Sequence, residues 1–122
     1  MILGIGTDII EIERIRQAVS REHFRRRVFT EIEQNYCESR GAQSAASYAA
    51  RFAAKEAFFK ALGTGIVTNL TEVEIQNLSD GQPKIFLYGS ANILAVERFV
   101  SKIFVSLSHS REYATAVVLL TN

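Results

Sequence analysis

Two carboxylates and a set of cations carry the most chemical information in this chain: Asp8, and Glu56 within the stretch RFAAKEAFFK from Arg51 to Lys60. If that stretch is helical, an advance of about 100° per residue puts Ala45, Ala49, Phe52 and Lys60 within about 40° of Glu56. A carboxylate then shares an apolar stripe. Burying it ionised and unpaired costs several kcal/mol, so it must be protonated, meet a cation, or sit at a cleft mouth. Lys60, four residues on, offers an ordinary intrahelical ion pair worth roughly 0.3 to 0.5 kcal/mol. Asp8 offers another answer. It stands where the apolar strand Ile2 to Thr7 runs out, a place that suits either a helix cap or a site residue. If the helix crosses that strand, Asp8 and Glu56 converge as two hard oxygen ligands with Lys60, Lys55 and Arg51 nearby. Such a set suits Mg²⁺ held against a phosphate-bearing substrate, because Mg²⁺ keeps several waters and borrows ligands from phosphates. Spacing alone leaves both readings open.

Weaker signals follow the same helix. Gly63, Thr64 and Gly65 can form a backbone nest for an anion or simply end the helix in a left-handed cap. His109, between Ser108 and Ser110 and followed by Arg111, can donate to a phosphate or stand in solvent. Ser108 and His109 are adjacent and nothing completes a triad, so serine hydrolase chemistry is set aside.

These residues need a scaffold, and the sequence describes one. The spacing of Ile12, Ile15 and Val19 predicts a helix after Asp8, and a second short one is expected over Glu22 to Val28. Thr30 and Glu33 form a capping box for a third, ending near Gly41. Ser44 to Leu62 is alanine-rich, closes on Gly63, and reads as the longest helix. Thr71 to Leu78 alternates apolar and polar residues as a half-buried strand does, and Lys84 to Tyr88 returns from the turn Ser79 to Pro83. Ser90 to Phe99 reads as a helix, and Ile103 to Leu107 and Tyr113 to Leu120 as strands. The order implies an α+β fold in which a small, mostly antiparallel sheet packs on a long helix.

At 122 residues the chain suits one domain, 1–122, with one core. Apolar residues make up 48% and charged residues 22%, which excludes disordered and collagenous classes. No stretch is apolar enough to span a bilayer and no signal peptide is evident, so a cytoplasmic protein is expected, without a membrane partner. Cys37 is the only cysteine, which removes disulfides and thiolate zinc clusters and leaves a partly buried thiol. Charge is near balance overall but not locally. From Arg14 to Arg27 six arginines face Glu22 alone, an excess of five positive charges interleaved with Ile15, Val19, Phe24 and Val28. That segment is either a solvated face or a dock for an acidic macromolecule, and guanidinium geometry favours the dock.

At these residues the sequence resembles the holo-acyl-carrier-protein synthases, the small 4'-phosphopantetheinyl transferases of fatty-acid synthesis. The matching segments are GIGTDIIEIERI at Gly4 to Ile15, RFAAKEAFFKALGTG at Arg51 to Gly65, and SLSHSREYATAVV at Ser106 to Val118. The resemblance implies Mg²⁺-dependent transfer of 4'-phosphopantetheine from coenzyme A to a serine of an acidic apo acyl carrier protein, with release of adenosine 3',5'-bisphosphate. By the same resemblance Asp8 and Glu56 are the Mg²⁺ ligands, and Lys60 contacts the coenzyme A phosphates and belongs with them to the catalytic set. Arg51, Lys55, Gly63, Gly65, His109 and Ser110 are candidates around the nucleotide, and Arg14 and Arg21, with Arg25 and Phe52, around the carrier. A homotrimer with sites at subunit interfaces is also implied. No base stands out for the carrier serine; a water held between the metal and Glu56 is preferred. The competing class is a non-enzymatic nucleotide or nucleic-acid binding module using the arginine segment, and a weaker rival is metal-dependent phosphoester hydrolysis.

Overall fold

A computed structural model describes residues 1–122. The chain runs β1 (Ile2–Glu11), α1 (Ile12–Val19), α2 (Glu22–Val28), α3 (Glu31–Glu38), a 3-10 turn (Gly41–Gln43), α4 (Ser44–Leu62), a second 3-10 turn (Leu70–Glu72), β2 (Val73–Asn77), β3 (Pro83–Leu87), α5 (Gly89–Glu97), β4 (Lys102–His109) and β5 (Tyr113–Thr121). It is an α+β fold with every strand pair antiparallel.

β1, β5 and β4 form one sheet in that order, with α4 lying across β1 and β5. Period-two alternation produces the packing. On β5, Ala114, Ala116, Val118 and Leu120 are buried and meet the helix, while Tyr113 and Val117 face outward. On β1 the inward positions near the start are glycines because α4 comes too close for anything else. A Cβ on Gly4 would lie 2.0 Å from the Ala61 carbonyl oxygen, and one on Gly6 would lie 2.0 Å from that of Ala57. The same inward face next presents Asp8, paired with Ala116, and then Ile10, paired with Ala114. β1 therefore does not end before Asp8. It continues through Glu11 because β5 still offers pairing partners, and this corrects the expectation of an end-of-strand carboxylate.

α3 starts on the expected capping box: the Glu33 amide donates to Thr30 Oγ1 (3.2 Å) and the Thr30 amide to Glu33 Oε1 (2.9 Å). It ends at Glu38, earlier than expected, and the 3-10 turn carries the chain into α4. α4 ends on Gly63 at φ +79°, whose amide donates to the Phe59 carbonyl at 2.9 Å. Phe58, Phe59, Val73 and Ile75 are fully or almost fully buried around it, as is Cys37, which is wholly rather than partly buried.

The hairpin β2–β3 is a sheet of its own. β3 passes beside β4 without strand pairing, and the free edge of β2 is taken by two side chains. Glu33 Oε2 accepts from the Ile75 amide at 2.8 Å, and Lys55 Nζ donates to the Val73 carbonyl at 2.7 Å. An ion pair thus closes the edge where another strand could have added.

Candidate active site

The inward face of β1 and one face of α4 bring Asp8, Glu56 and Lys60 together. Lys60 Nζ donates to Asp8 Oδ1 at 3.0 Å and to the Thr7 carbonyl at 3.1 Å. The ion pair that helical spacing suggested between Glu56 and Lys60 is instead made between Lys60 and Asp8, across the strand–helix interface. The Asp8 side chain is only 12% exposed, whereas that of Lys60 is 55% exposed.

This arrangement is incomplete on the carboxylate side. Asp8 Oδ2 is buried and has no hydrogen-bond partner. Burial raises the Glu56 carboxyl above the usual carboxylate range, and the nearby Asp8 charge raises it further, against smaller opposing effects of Lys60 and Arg14. A protonated Glu56 can donate to Asp8; ionised, the two face each other with no donor between them. An unpartnered buried oxygen beside a carboxyl that resists ionisation is a donor set suited to a cation. No third His, Cys, Asp or Glu joins the pair. Two hard oxygen ligands with open positions fit Mg²⁺, which completes its shell with water and phosphate. They do not fit zinc, whose protein sites supply three or four ligands.

Lys55 is not part of this cluster, although it was a nucleotide candidate. Its side chain has no exposed surface, and its three N–H donors are filled by Glu33 Oε1 (2.8 Å), the Leu70 carbonyl (2.9 Å) and the Val73 carbonyl (2.7 Å). An ammonium so saturated cannot reach a ligand. Burial lowers its pKa, against the opposing pull of Glu33.

Arg51 turns to a third side of α4 and is almost fully buried. Its Nη1 donates to Ser47 Oγ at 3.1 Å and its Nη2 to Asn77 Oδ1, and the guanidinium lies 4.3 Å from the Tyr36 ring centroid. Its Nε is unpartnered. Arg51 lines a cavity of about 190 Å³ together with Arg40, Asn77 and His109. His109 ends β4, on the sheet edge opposite β1. One chain therefore holds Arg51 and His109 together but away from Asp8. Ser110 is exposed in the β4–β5 turn, its amide bound to the Tyr113 carbonyl. Gly63 and Gly65, at φ +79° and +71°, follow the Lys60 turn and leave open space where a Cβ would stand.

Arg14, Arg21 and Phe52 share a groove of about 300 Å³ with Ile10, Ile15 and Phe24. Arg25 does not. Its Nη1 donates to the Val19 carbonyl at 2.7 Å and its Nε to Gln34, and it lines a different groove with Glu38 and Tyr48. Phe24 sits where Arg25 was sought, and also shares with Phe52 a larger cavity of about 550 Å³ flanked by Arg26 and Arg27. The apolar interleaving of the arginine segment was the signal for Phe24. Glu33 gave only a capping signal, and nothing in its spacing announced that it also holds Lys55.

Comparison with known proteins decides the family. Residues 4–118 match the model of the 4'-phosphopantetheinyl transferase superfamily. The chain belongs to that superfamily. A holo-[acyl-carrier-protein] synthase of Geobacter metallireducens is 47% identical over 124 aligned residues, covering 98% of each chain. The crystal structure of the holo-[acyl-carrier-protein] synthase of Neisseria meningitidis superposes with a TM-score of 0.91 at 32% identity and full coverage of both chains. That of Bacillus anthracis, in complex with CoA (3',5'-ADP), gives 0.81 at 36% identity, covering 98% of this chain and 96% of the other. The resemblance read from the three motifs is thus established across nearly the whole chain, and this member of the superfamily is a transferase of the α+β architecture described above.

Proposed function

We propose that this transferase moves 4'-phosphopantetheine from coenzyme A to a serine of an acidic apo acyl carrier protein, leaving adenosine 3',5'-bisphosphate. The observation that carries the reading is Asp8 Oδ2, buried and unpartnered beside Glu56, with the Lys60 ammonium on the other Asp8 oxygen. Asp8 and Glu56 would hold Mg²⁺, which when bound withdraws charge from the diphosphate and eases departure of the bisphosphate. The residues themselves supply position and charge. Lys60, on the open side of the cluster, reaches the diphosphate oxygens. Gly63 and Gly65 let backbone approach the same group without side-chain interference. The carrier serine would pass its proton to a water held by the Glu56 carboxylate. The serine Oγ forms a bond to the phosphorus bearing pantetheine, and the bond from that phosphorus to the bridging oxygen breaks. The electron pair leaves on the adenosine bisphosphate.

The carrier docks in the Arg14–Arg21 groove, where two guanidiniums flank the apolar floor of Phe24 and Phe52. The nucleotide half of the site comes from a second subunit. In a homotrimer, the Arg51–His109 cavity of one copy meets the Asp8–Glu56 cluster of the next. Supporting this, the outer face of the β1–β5–β4 sheet exposes Ile5, Ile9, Phe104 and Val117, an apolar surface that calls for a partner. All of 1–122 then serves as one transferase domain. Its setting is the cytoplasm, in keeping with a single buried free thiol and no helix long and apolar enough to cross a membrane.

Incubation with coenzyme A, Mg²⁺ and apo carrier should raise the carrier's mass by one phosphopantetheine, and chelation should stop it. Binding of nucleic acid with steep salt dependence, and no change in carrier mass, would replace this reading by a non-enzymatic one. Light scattering during size-exclusion chromatography checks the trimer.

A further inference from the structure

Lys55 lies one residue, and so about 100° around α4, from Glu56. Its ammonium is held by three acceptors on three separate elements. Glu33 belongs to α3, Leu70 ends the segment that returns from Gly63, and Val73 opens β2. Glu33 is fixed in turn by the Thr30 and Ile75 amides, so neither partner of the pair has freedom to move.

Besides the buried Tyr48, Phe58, Phe59 and Leu62 and the Arg51–Asn77 and Lys60–Asp8 bonds, α4 has few side chains that hold its rotation. Eight of its buried residues are alanine, and short side chains make shallow ridges for the neighbouring elements to grip. Gly4 and Gly6 set how closely β1 approaches, through contact with backbone carbonyls rather than interlocking side chains. A helix turned by about 20° would carry a carboxylate at its rim by about 2 Å, and misplacement of about 1 Å can cost about 100-fold in rate.

We propose that Lys55 is a positioning residue for the transfer. By filling acceptors on α3, β2 and the Leu70 turn, it sets the rotation of α4 that aims Glu56 at Asp8, and it anchors the far end of the Gly63–Asn69 segment. The claim deepens the function proposed above and rests on that reading. It gives the ion pair a task beyond stability. Burying both charges is a poor way to strengthen a core, since apolar replacements of similar volume often do as well. Apolar groups could not, however, fix three directions at one atom.

The test is the double variant Glu33→Gln with Lys55→Met, which leaves no unpaired buried charge. It should unfold cooperatively with wild-type circular dichroism, bind Mg²⁺ about tenfold more weakly by calorimetry, and lose about 30-fold in kcat/KM for coenzyme A. Its KM for the carrier should stay within about twofold, because the Arg14–Arg21 groove is untouched. A folded double variant with wild-type Mg²⁺ affinity and coenzyme A kinetics overturns the proposal. If the double variant does not fold, Glu33→Gln with Lys55→Gln takes its place. It also leaves no unpaired buried charge, its amide offers two donors in one plane in place of the ammonium's three, and a several-fold loss of Mg²⁺ affinity is expected; no loss overturns the claim. Absence of transfer by the wild-type protein would instead defeat the proposed function, whatever the variants do.

Discussion

Five residues apart on α4, two lysines meet two carboxylates with opposite consequences. Lys55 and Glu33 are wholly buried, and every donor on the ammonium has an acceptor. Lys60 and Asp8 sit at an opening, half of the lysine is in solvent, and one carboxylate oxygen has nothing to bind. Identical chemistry becomes a joint in one place and a candidate site in the other. Burial separates the two lysines, but Asp8, at 12% exposure, is nearly as enclosed as Glu33. Partnering separates the carboxylates: every donor of the Lys55 ammonium is bonded, whereas Asp8 Oδ2 is unpartnered beside a Glu56 whose ionisation burial opposes.

The contrast breaks most sharply at Glu56. Glu56→Gln should cut transfer at least about 1,000-fold, equivalent to roughly 4 kcal/mol, because a neutral amide poorly replaces a charged Mg²⁺ ligand. The fold should gain slightly, since the substitution removes a carboxylate whose ionisation burial opposes. Full activity, measured by carrier mass, would contradict the site role.

Alanine at the two lysines separates joint from site. Lys55→Ala leaves Glu33 charged and alone in the core and should cost about 3 kcal/mol or more in urea unfolding. Lys60→Ala removes a half-exposed, solvent-screened pair and should cost less than about 1 kcal/mol, while lowering kcat/KM for coenzyme A. Equal losses of stability would erase the distinction.

The open cluster also feels the charge of the arginine segment. Arg14 favours ionisation of Glu56 and lines the proposed docking groove. Arg14→Ala with Arg21→Ala should raise the carrier's KM about tenfold, roughly 1.4 kcal/mol, and coenzyme A's by less. Equal effects on both substrates would undermine the docking assignment.

The sequence revealed the open cluster more readily than the closed one. Glu56 stood out because helical periodicity puts a charge where apolar residues belong. Most elements were legible for similar reasons: the alternation on β2, the Thr30–Glu33 box, the glycine after α4. Lys55 was misread because its position beside Glu56 suggested a shared task, and a single helix carries no record of what packs against its other faces. The partners of Lys55 lie 15 to 22 residues away. Arg25 stands apart from Arg14 and Arg21 for a similar reason, since charge density cannot distinguish an arginine aimed outward from one folded back onto Val19. The end of β1 was misjudged because Asp8 looks like a terminator until β5 is known to run alongside it.

The smallest effect concerns pH, and it probes the incompleteness itself. The Glu56 pKa is raised in the folded chain, so the stability it contributes is fully present below the ordinary carboxylate pKa of about 4.3 and is lost as pH rises through the folded value. Without metal, the ionised pair at neutral pH is therefore a local cost. Mg²⁺ needs the ionised form, so its stabilisation should be largest where that cost is present. At about five times its Kd, Mg²⁺ should add about 1 kcal/mol at pH 7.5, a rise of roughly 4 °C in Tm for a chain of this length. Near pH 4.5 the increment should shrink as protons compete for Glu56. In Glu56→Gln it should be small at both values, because Asp8 alone is a poor ligand set. An Mg²⁺ increment independent of pH, or one retained in that variant, would place the ion elsewhere and leave the Asp8–Lys60 pair as structural as its buried counterpart.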